Sequence, residues 1–444
     1  MLGIGLSYAK VYLFHIVLVI NIAFILYDII QKRKFIAFAA KQNLAAGLKT
    51  FWWLPPVWFA VLVLVADYKS EAIQYTAIVA MGAALFYSLQ YYITTKKEWI
   101  AALRVVAVCV AVEMAVALLE MTAWFRYPIS SLSLHNDWFG RANIVQIEID
   151  AYKDRVPVAQ IIEELQHTPT GFHWHPNDMA VVLAMAFPFL LFYKPRWWSY
   201  SGIFLIVAIT TFTNARLVFL SLILMSVASV FFVVTNKNLL AAQKKAVYRS
   251  MAFALLVIGG FCTNFYTFHD LFNSHKLREM QLFATELTHL APRRNIAESS
   301  ETIRPQLLDK AKNTIIAQRG VGIGGGNFKA AVLHETGGYG KKRVASLHNH
   351  WLEVAVEGGA LYLILYGAWL CVLAYRLWQI TRAKTDTIYI GVDIDEYIGA
   401  PLAVLVALVG FAFTAMAPSS CVYLLPIYVL YGFAYKLTIL NKTE

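Results

Sequence analysis

Charged residues are scarce in this chain. Only 15% of its 444 residues are charged, whereas 59% are hydrophobic, and ordinary soluble domains carry about a quarter charged residues. The apolar residues also come in blocks of roughly twenty, the length that a helix needs to cross a bilayer. Backbone groups in lipid must be paired within their own segment. The composition therefore excludes a typical water-soluble domain and predicts an all-α, polytopic membrane protein.

Recognisable metal and nucleotide motifs are also missing. The four cysteines lie in apolar blocks and form no CxxC or Cys/His spacing, so packing is their simplest role. Residues 320–327 contain GxGxxG by letter, but no strand–helix–strand pattern surrounds them and no Lys-Ser/Thr follows. We interpret this segment as a tight turn in which the backbone can approach a ligand or another loop.

The apolar blocks predict a helical bundle of about 11–12 transmembrane helices with a large, partly helical periplasmic loop. The predicted spans are residues 8–30, 51–67, 72–93, 99–123, 177–193, 199–214, 217–235, 251–268, 350–375, 397–417 and 421–440. Residues 35–50 could add a further span, but their amphipathic pattern favours the membrane surface. We divide the chain into a transmembrane bundle at 1–268, a large loop at 269–349 and C-terminal helices at 350–444.

The basic residues orient these spans. Lysine-rich short loops fall on one side of the predicted bundle, which is then the cytoplasmic side. Loops 124–176 and 269–349 consequently face outward, which in a Gram-negative cell means the periplasm. A dozen basic residues lie in loop 269–349 of this chain, whose net charge is +11. We therefore expect either an anionic partner or a general attraction to lipid headgroups at this loop.

Four arginines are candidate phosphate ligands. Arg216 lies between two apolar blocks with almost no loop, and an arginine at that depth is costly unless it has a function. Arg304 follows a polar segment, with Arg293 and Arg294 close by in the sequence. A guanidinium group suits bidentate phosphate binding. The alternatives are an interfacial arginine that reaches the lipid headgroups and, for the others, solvated charges.

Two histidines lie at the start of the predicted span at 350–375. His348 and His350 are followed by Glu353 and Glu357, and the spacing places His350 and both glutamates on one helix face. A neutral imidazole can accept a proton near neutral pH, and a carboxylate beside it can orient it. This pattern predicts a general base. The alternatives are a metal site through both histidines and Glu353, or polar residues that cap a helix at the membrane interface.

A second histidine pair precedes the predicted span at 177–193. His173 and His175 are followed by Asn177 and Asp178, either of which could cap the next helix at its N-terminus. The aromatic neighbours of the histidines are typical of a membrane interface. We favour a structural role for this pair, with contact to substrate as the alternative.

The order of these motifs resembles the O-antigen ligase and O-antigen polymerase superfamily. From residue 169 to residue 362 the segments are PTGFHWHPND, TNAR, ESSETIR, GVGIGGGNF and HNHWLEVAVEGGALY. The last is the most specific. His348-Asn349, nine residues, Gly359, two residues and Tyr362 are similar to the pattern of the lipopolysaccharide ligase branch.

The resemblance implies an inverting, metal-independent glycosyltransferase without a cofactor, in the inner membrane with its active site facing the periplasm. The donor would be O-antigen polysaccharide on undecaprenyl diphosphate, and the acceptor a sugar hydroxyl of lipid A–core oligosaccharide. Membrane lipids would be partners, and nucleic acid would not. By motif position, His348 matches the catalytic base, with His350 as the alternative. Arg216 and Arg304 match the arginines that bind the diphosphate.

Other functions remain open on the sequence. An O-antigen polymerase or a protein O-oligosaccharyltransferase of the same superfamily would use a similar donor with a different acceptor. A membrane transporter is an alternative of another class, because Arg104, Glu113 and Glu120 lie within the predicted span at 99–123, and intramembrane charges often mark ion paths.

Overall fold

The fold is known from a computed structural model, which describes most of the chain outside its longest loops. The described residues are 7–8, 11–31, 51–123, 126, 130, 132–133, 145–146, 149–150, 157–193, 197–213, 215–237, 239, 241–263, 300–338, 344–382 and 399–440. The predicted surface segment at 35–50 lies outside them. So do residues 264–299 of the second long loop.

The described chain is almost entirely helical. A two-residue antiparallel pair, Ser7–Tyr8 with Val11–Tyr12, precedes the first helix. The helices are α1 (Leu13–Gln31), α2 (Leu54–Leu62, after a 3₁₀ turn at Phe51–Trp53), α3 (Lys69–Tyr92), α4 (Lys96–Met121), α5 (Val158–His167), α6 (Pro176–Leu191), α7 (Trp197–Phe212), α8 (Arg216–Thr235), α9 (Ala241–Thr263), α10 (Ser300–Ala317), α11 (Asn327–Thr336), α12 (His350–Glu353), α13 (Ala360–Arg382), α14 (Ala400–Thr414) and α15 (Leu425–Leu440).

Among the described residues, four helices are long and apolar enough to cross a membrane: α3, α4, α8 and α13. Shorter apolar helices of 10–17 residues occur at six further places. The predicted helical membrane fold is confirmed to this extent, and each predicted span overlaps a helix among the described residues. The predicted number of spans stays a prediction, because most of these helices are too short by themselves to cross roughly 30 Å of hydrocarbon.

The chain folds into two compact units that are interleaved along the sequence. The first contains residues Leu103–Ser299 and Thr381–Pro418, and the second contains Leu6–Ala102, Ser300–Ile380 and Ser419–Glu444. In the first unit, α6 packs against α7, α8 and α14. Most of its side chains are buried, because an apolar helix surrounded on all sides needs no polar face. This helix is therefore the core of the first unit.

The second unit is built around α3. Helices α1, α2 and α15 pack against it, and the indole N–H of Trp99 donates to the Phe433 carbonyl at 3.3 Å. A separate apolar cluster joins α10 and α11 to the segment that precedes α13. Its buried members are Ile303, Leu307, Ala311, Phe328, Val332, Ala345, Leu347 and Val356.

The predicted span at 350–375 is interrupted in the structure. α12 continues into a π-helical turn at Val354–Gly358, and α13 begins only at Ala360. Gly359 separates them at φ +88°, in the left-handed region that favours glycine. A Cβ atom there would collide with the carbonyl oxygens of Gly320 and Val321. The true boundary is therefore set by a close backbone approach that hydropathy does not register.

The glycine-rich turn after α10 is the partner in this approach. The N–H of Ile323 donates to the Val356 carbonyl at 3.1 Å, and the N–H of Ala360 donates to the Gly320 carbonyl at 2.8 Å. The sequence left open whether this turn approaches a ligand or another loop. In the structure it approaches the π-helical turn.

We expect Gly359→Ala to destabilise the protein by roughly 1–3 kcal/mol, because it adds both backbone strain and a steric clash. The midpoint of thermal unfolding in detergent measures this loss. Gly367→Ala is the matched control, since a Cβ at Gly367 meets nothing within 4 Å and a helical alanine stabilises by up to about 1 kcal/mol. Equal midpoints for the two variants would contradict the tight packing at Gly359.

Candidate functional site

The His348–His350 segment makes a sharp turn in the second unit. His348 has φ +47°, a conformation that few non-glycine residues adopt and that costs roughly 1–3 kcal/mol. The Asn349 side chain then accepts the N–H of Leu352 at 3.2 Å and caps α12. His348 is partly exposed and His350 is buried. The turn thus gives the two imidazoles different surroundings.

His350 is held among buried groups. Its Nε2 lies 3.4 Å from the Tyr366 hydroxyl, and its Nδ1 lies 3.7 Å from Oε2 of Glu353. Burial lowers the pKa of His350 to about 3, so the imidazole is neutral at pH 7. A side chain so enclosed is suited to positioning the segment, whereas His348 is partly exposed.

The two glutamates after His350 tie the segment to its neighbours. Glu353 accepts a hydrogen bond from the Ser420 hydroxyl at 2.6 Å, and burial raises the pKa of its carboxyl. The Glu357 side chain is buried, and its backbone carbonyl accepts the N–H of Gly324 at 3.0 Å. Glu357 therefore helps to hold the glycine-rich turn through its backbone.

An aromatic cleft borders His350 in the second unit. The His350 ring stands edge-on to Tyr366, with ring centroids 5.8 Å apart. These rings are almost fully buried, so the space between them is small. The aromatic residues that line the cleft are Trp52, Phe59, Tyr75, Tyr362, Tyr366, Tyr428 and Tyr431.

The predicted arginines lie in different parts of the molecule. Arg304 belongs to the second unit, where it is exposed on α10. Arg216 belongs to the first unit, is partly buried and is the first residue of α8. The N-terminus of a helix carries partial positive charge, so an arginine there adds to a field that attracts anions. Arg293 and Arg294 lie outside the described residues.

The second histidine pair has a structural role in the first unit. His175 is the N-cap of α6, and its Nδ1 accepts the N–H of Asn177 at 3.1 Å. The prediction that Asn177 or Asp178 caps this helix was wrong, because Pro176 occupies the first helical position and leaves the cap to the residue before it.

His173 is buried beside α4. Its Nε2 lies 3.7 Å from Oε1 of Glu113, and burial lowers the pKa of His173 to about 3. This environment agrees with the structural role that the sequence favoured for the pair. Contact of His173 or His175 with substrate stays a prediction.

Two buried carboxyls of α4 hold the loop that carries these histidines. Oε2 of Glu120 accepts the N–H groups of Thr170 and Gly171, each at 2.7 Å. Oε1 of Glu113 accepts the N–H of Phe172 at 3.0 Å. Both glutamates are buried, whereas Arg104 of the same helix is exposed. Both carboxyls therefore anchor the loop that precedes α6, and the transporter alternative stays a prediction.

Several contact residues were not recognised in the sequence. Ser420 donates to Glu353, Ser346 donates to the Ser419 carbonyl at 2.7 Å, and the Trp58 indole donates to the Gly358 carbonyl at 2.7 Å. The Ser419-Ser420 pair interrupts two apolar blocks, and this interruption could have drawn attention to it. Trp58 gave no such signal, because a tryptophan in an apolar block looks like any lipid-facing residue.

Among the residues that the structure describes, no three His, Cys, Asp or Glu side chains converge in a way that could hold a metal ion. In comparisons with known proteins, no family model, curated protein or solved structure matches this chain. The relation to a family therefore rests on the order of the sequence motifs.

We expect Glu120→Ala to destabilise the protein by roughly 3 kcal/mol, since two backbone N–H groups and the partly buried Arg126, 3.6 Å away, would lose their acceptor. Thermal unfolding in detergent measures the effect. Leu119→Ala removes a more exposed side chain of the same helix and should change stability by about 0.5 kcal/mol or less. Equal losses in both variants would argue against the anchoring role of Glu120.

His350 should make stability depend on pH. Its pKa is near 6.5 in an unfolded chain and is lowered by burial in the folded protein. Below about pH 6.5 the unfolded chain binds a proton on this imidazole that the folded protein does not bind. The free energy of unfolding therefore falls on acidification, by up to about 1.4 kcal/mol per pH unit. Compared with the wild type, His350→Gln should lose less stability between pH 7 and pH 4 in thermal unfolding.

The control for this comparison is His334→Gln, which removes an exposed imidazole of the same unit. Its midpoints should run parallel to those of the wild type. A His350→Gln curve that also stays parallel to the wild type would show that His350 is not held neutral by burial.

Proposed function

We propose that this protein is an inverting glycosyltransferase that moves O-antigen polysaccharide from undecaprenyl diphosphate to a sugar hydroxyl of lipid A–core oligosaccharide. The proposal includes an inner membrane location, a bundle of about 11–12 spans and an active site on the periplasmic side. Two lines of support are the order of motifs along the sequence and the four helices long enough to cross a membrane. Lipid-anchored substrates require an enzyme in the bilayer.

The accessibility of His348 is the observation that carries this proposal. The residues around it are fixed by the Asn349 cap, the buried His350 and the hydrogen bond between Ser420 and Glu353. His348 itself is partly exposed. A catalytic base must be held in place and still reach its substrate. The partial exposure of His348 supports its assignment as the base, whereas His350 is buried.

In the proposed reaction His348 acts as the general base. It accepts the proton of the acceptor hydroxyl as that oxygen forms a bond to the anomeric carbon of the donor. The bond from this carbon to the diphosphate oxygen breaks, and the undecaprenyl diphosphate leaves with the electron pair. Attack from the face opposite the diphosphate inverts the anomeric carbon. A hydroxyl is a poor nucleophile until a base removes its proton, and general-base catalysis is typically worth about 10²–10⁴-fold.

Arg304 and Arg216 are the proposed ligands of the diphosphate. Guanidinium groups bind phosphate oxygens through paired hydrogen bonds and stabilise the charge that develops on the leaving group. The exposure of Arg304 on α10 and the place of Arg216 at the start of α8 are compatible with access to an anion. Their assignment to the donor rests on motif order. The proposed enzyme needs only these side chains and no cofactor for the transfer.

The test is complementation of a ligase-deficient strain that makes lipid-linked O-antigen. We expect wild type to restore the lipopolysaccharide ladder on a gel. His348→Ala should reduce transfer by roughly 10²–10⁴-fold, and Arg216→Ala or Arg304→Ala by roughly 10²-fold, all at matched expression. His334→Ala and Arg249→Ala are controls, since both remove exposed residues outside the motifs, and both should keep the ladder.

Each other outcome has a definite meaning. Loss of the ladder in His350→Ala alone would identify His350, and not His348, as the base. A ladder that survives all four motif variants would refute the mechanism. If well-expressed wild type gives no ladder although donor and acceptor are compatible, mass spectrometry of the glycan would decide between alternatives. Glycan on the carrier lipid would indicate a polymerase, and glycan on a periplasmic protein would indicate a protein O-oligosaccharyltransferase.

A further inference from the structure

Helix α10 has two sides of different character. Its inner side carries Ile303, Leu307 and Ala311, which pack into the apolar cluster of the second unit. Along its outer side, residues four apart form one row. This row alternates basic and apolar side chains: Arg304, Leu308, Lys312 and Ile316, all exposed. A helix that only faced water would have little reason to expose Leu308 at 43% and Ile316 at 65%.

The end of α10 continues this row toward a transmembrane helix. Arg319 adopts φ +51°, and the N–H of Gly320 returns to the Ile315 carbonyl at 3.0 Å, which ends the helix in a Schellman-type turn. Arg319 and Val321 are exposed at this turn. A left-handed position that favours glycine is thus occupied by a cation.

This turn contacts the first residue of α13. Ala360 donates its N–H to the Gly320 carbonyl at 2.8 Å, and α13 is one of the helices long and apolar enough to cross a membrane. The first turns of α13 expose Leu361 and Ile364, which would face lipid. The C-terminal end of α10 therefore lies beside the first residue of α13, and Val321 is exposed next to it.

We propose that the outer row of α10 beyond Arg304, together with the turn at the end of the helix, is a docking surface for anionic phospholipid, with Leu308, Ile316 and Val321 inserted among the headgroups and Lys312 and Arg319 bound to lipid phosphates. Alternating apolar and basic side chains are suited to the interface, because the apolar groups gain from leaving water and the cations remain at phosphate level. Leu308 and Ile316 are about 12 Å apart along the axis, so the helix would lie along the membrane surface. This surface is independent of the proposed glycosyl transfer.

Photocrosslinking of the full-length protein tests the proposal. p-Benzoylphenylalanine replaces Leu308 or Ile316 in the outer row, or, as matched controls, Gln306 or Ala317, which are exposed on other faces of α10. The protein is reconstituted in nanodiscs of phosphatidylcholine with phosphatidylglycerol. After irradiation, mass spectrometry should show several-fold more phospholipid adduct at positions 308 and 316 than at the controls. Equal yields at all four positions would overturn the proposal.

The charges are tested separately in the same system. Lys312→Gln combined with Arg319→Gln should lower the phosphatidylglycerol adduct at position 316 several-fold, and high salt should lower it too, because exposed charges are screened. Unchanged folding of this variant is checked by its thermal unfolding midpoint. An adduct that forms equally in pure phosphatidylcholine would overturn the requirement for anionic lipid. Crosslinks to a second copy of the chain in place of lipid would show that the row is a protein interface.

Discussion

Backbone hydrogen bonds join the glycine-rich turn after α10 to the π-helical turn at Val354–Gly358. The N–H groups of Ile323 and Gly324 donate to the carbonyls of Val356 and Glu357 at 3.1 and 3.0 Å. These contacts are made by backbone at close range, so they tolerate neither extra side-chain atoms nor a missing acceptor. The position of His348 depends on them, because its segment runs directly into the π-helical turn.

Burial separates the roles of two histidines that are only two residues apart. His350 is enclosed by aromatic rings and the Glu353 carboxyl, and burial lowers its pKa. An imidazole in that state helps to fix geometry but is a weak base. His348 adopts φ +47° and is followed by the Asn349 cap, and it is partly exposed. The segment thus places a buried imidazole and a partly exposed one within three residues.

In the first unit, buried carboxyl groups hold a loop backbone in place. Glu113 and Glu120 lie in an apolar helix and satisfy three backbone N–H groups of the loop that precedes α6. A buried carboxylate is costly alone, but it is tolerated where it accepts several hydrogen bonds. Gly171 makes the close approach possible, since a Cβ there would collide with Glu113. Carboxyls that resemble an ion path in the sequence are therefore loop anchors in the structure.

The sequence by itself determined the helical membrane class and the approximate place of the apolar helices, because apolar content and block length follow from the thickness of a bilayer. It also marked His348, Arg216 and Arg304 as candidates through motif order. Only the tertiary structure decided that α13 begins at Ala360 and that the glycine-rich turn meets the π-helical turn. These features depend on which backbone groups from separate parts of the chain meet, and hydropathy along one segment carries no record of a partner elsewhere in the chain.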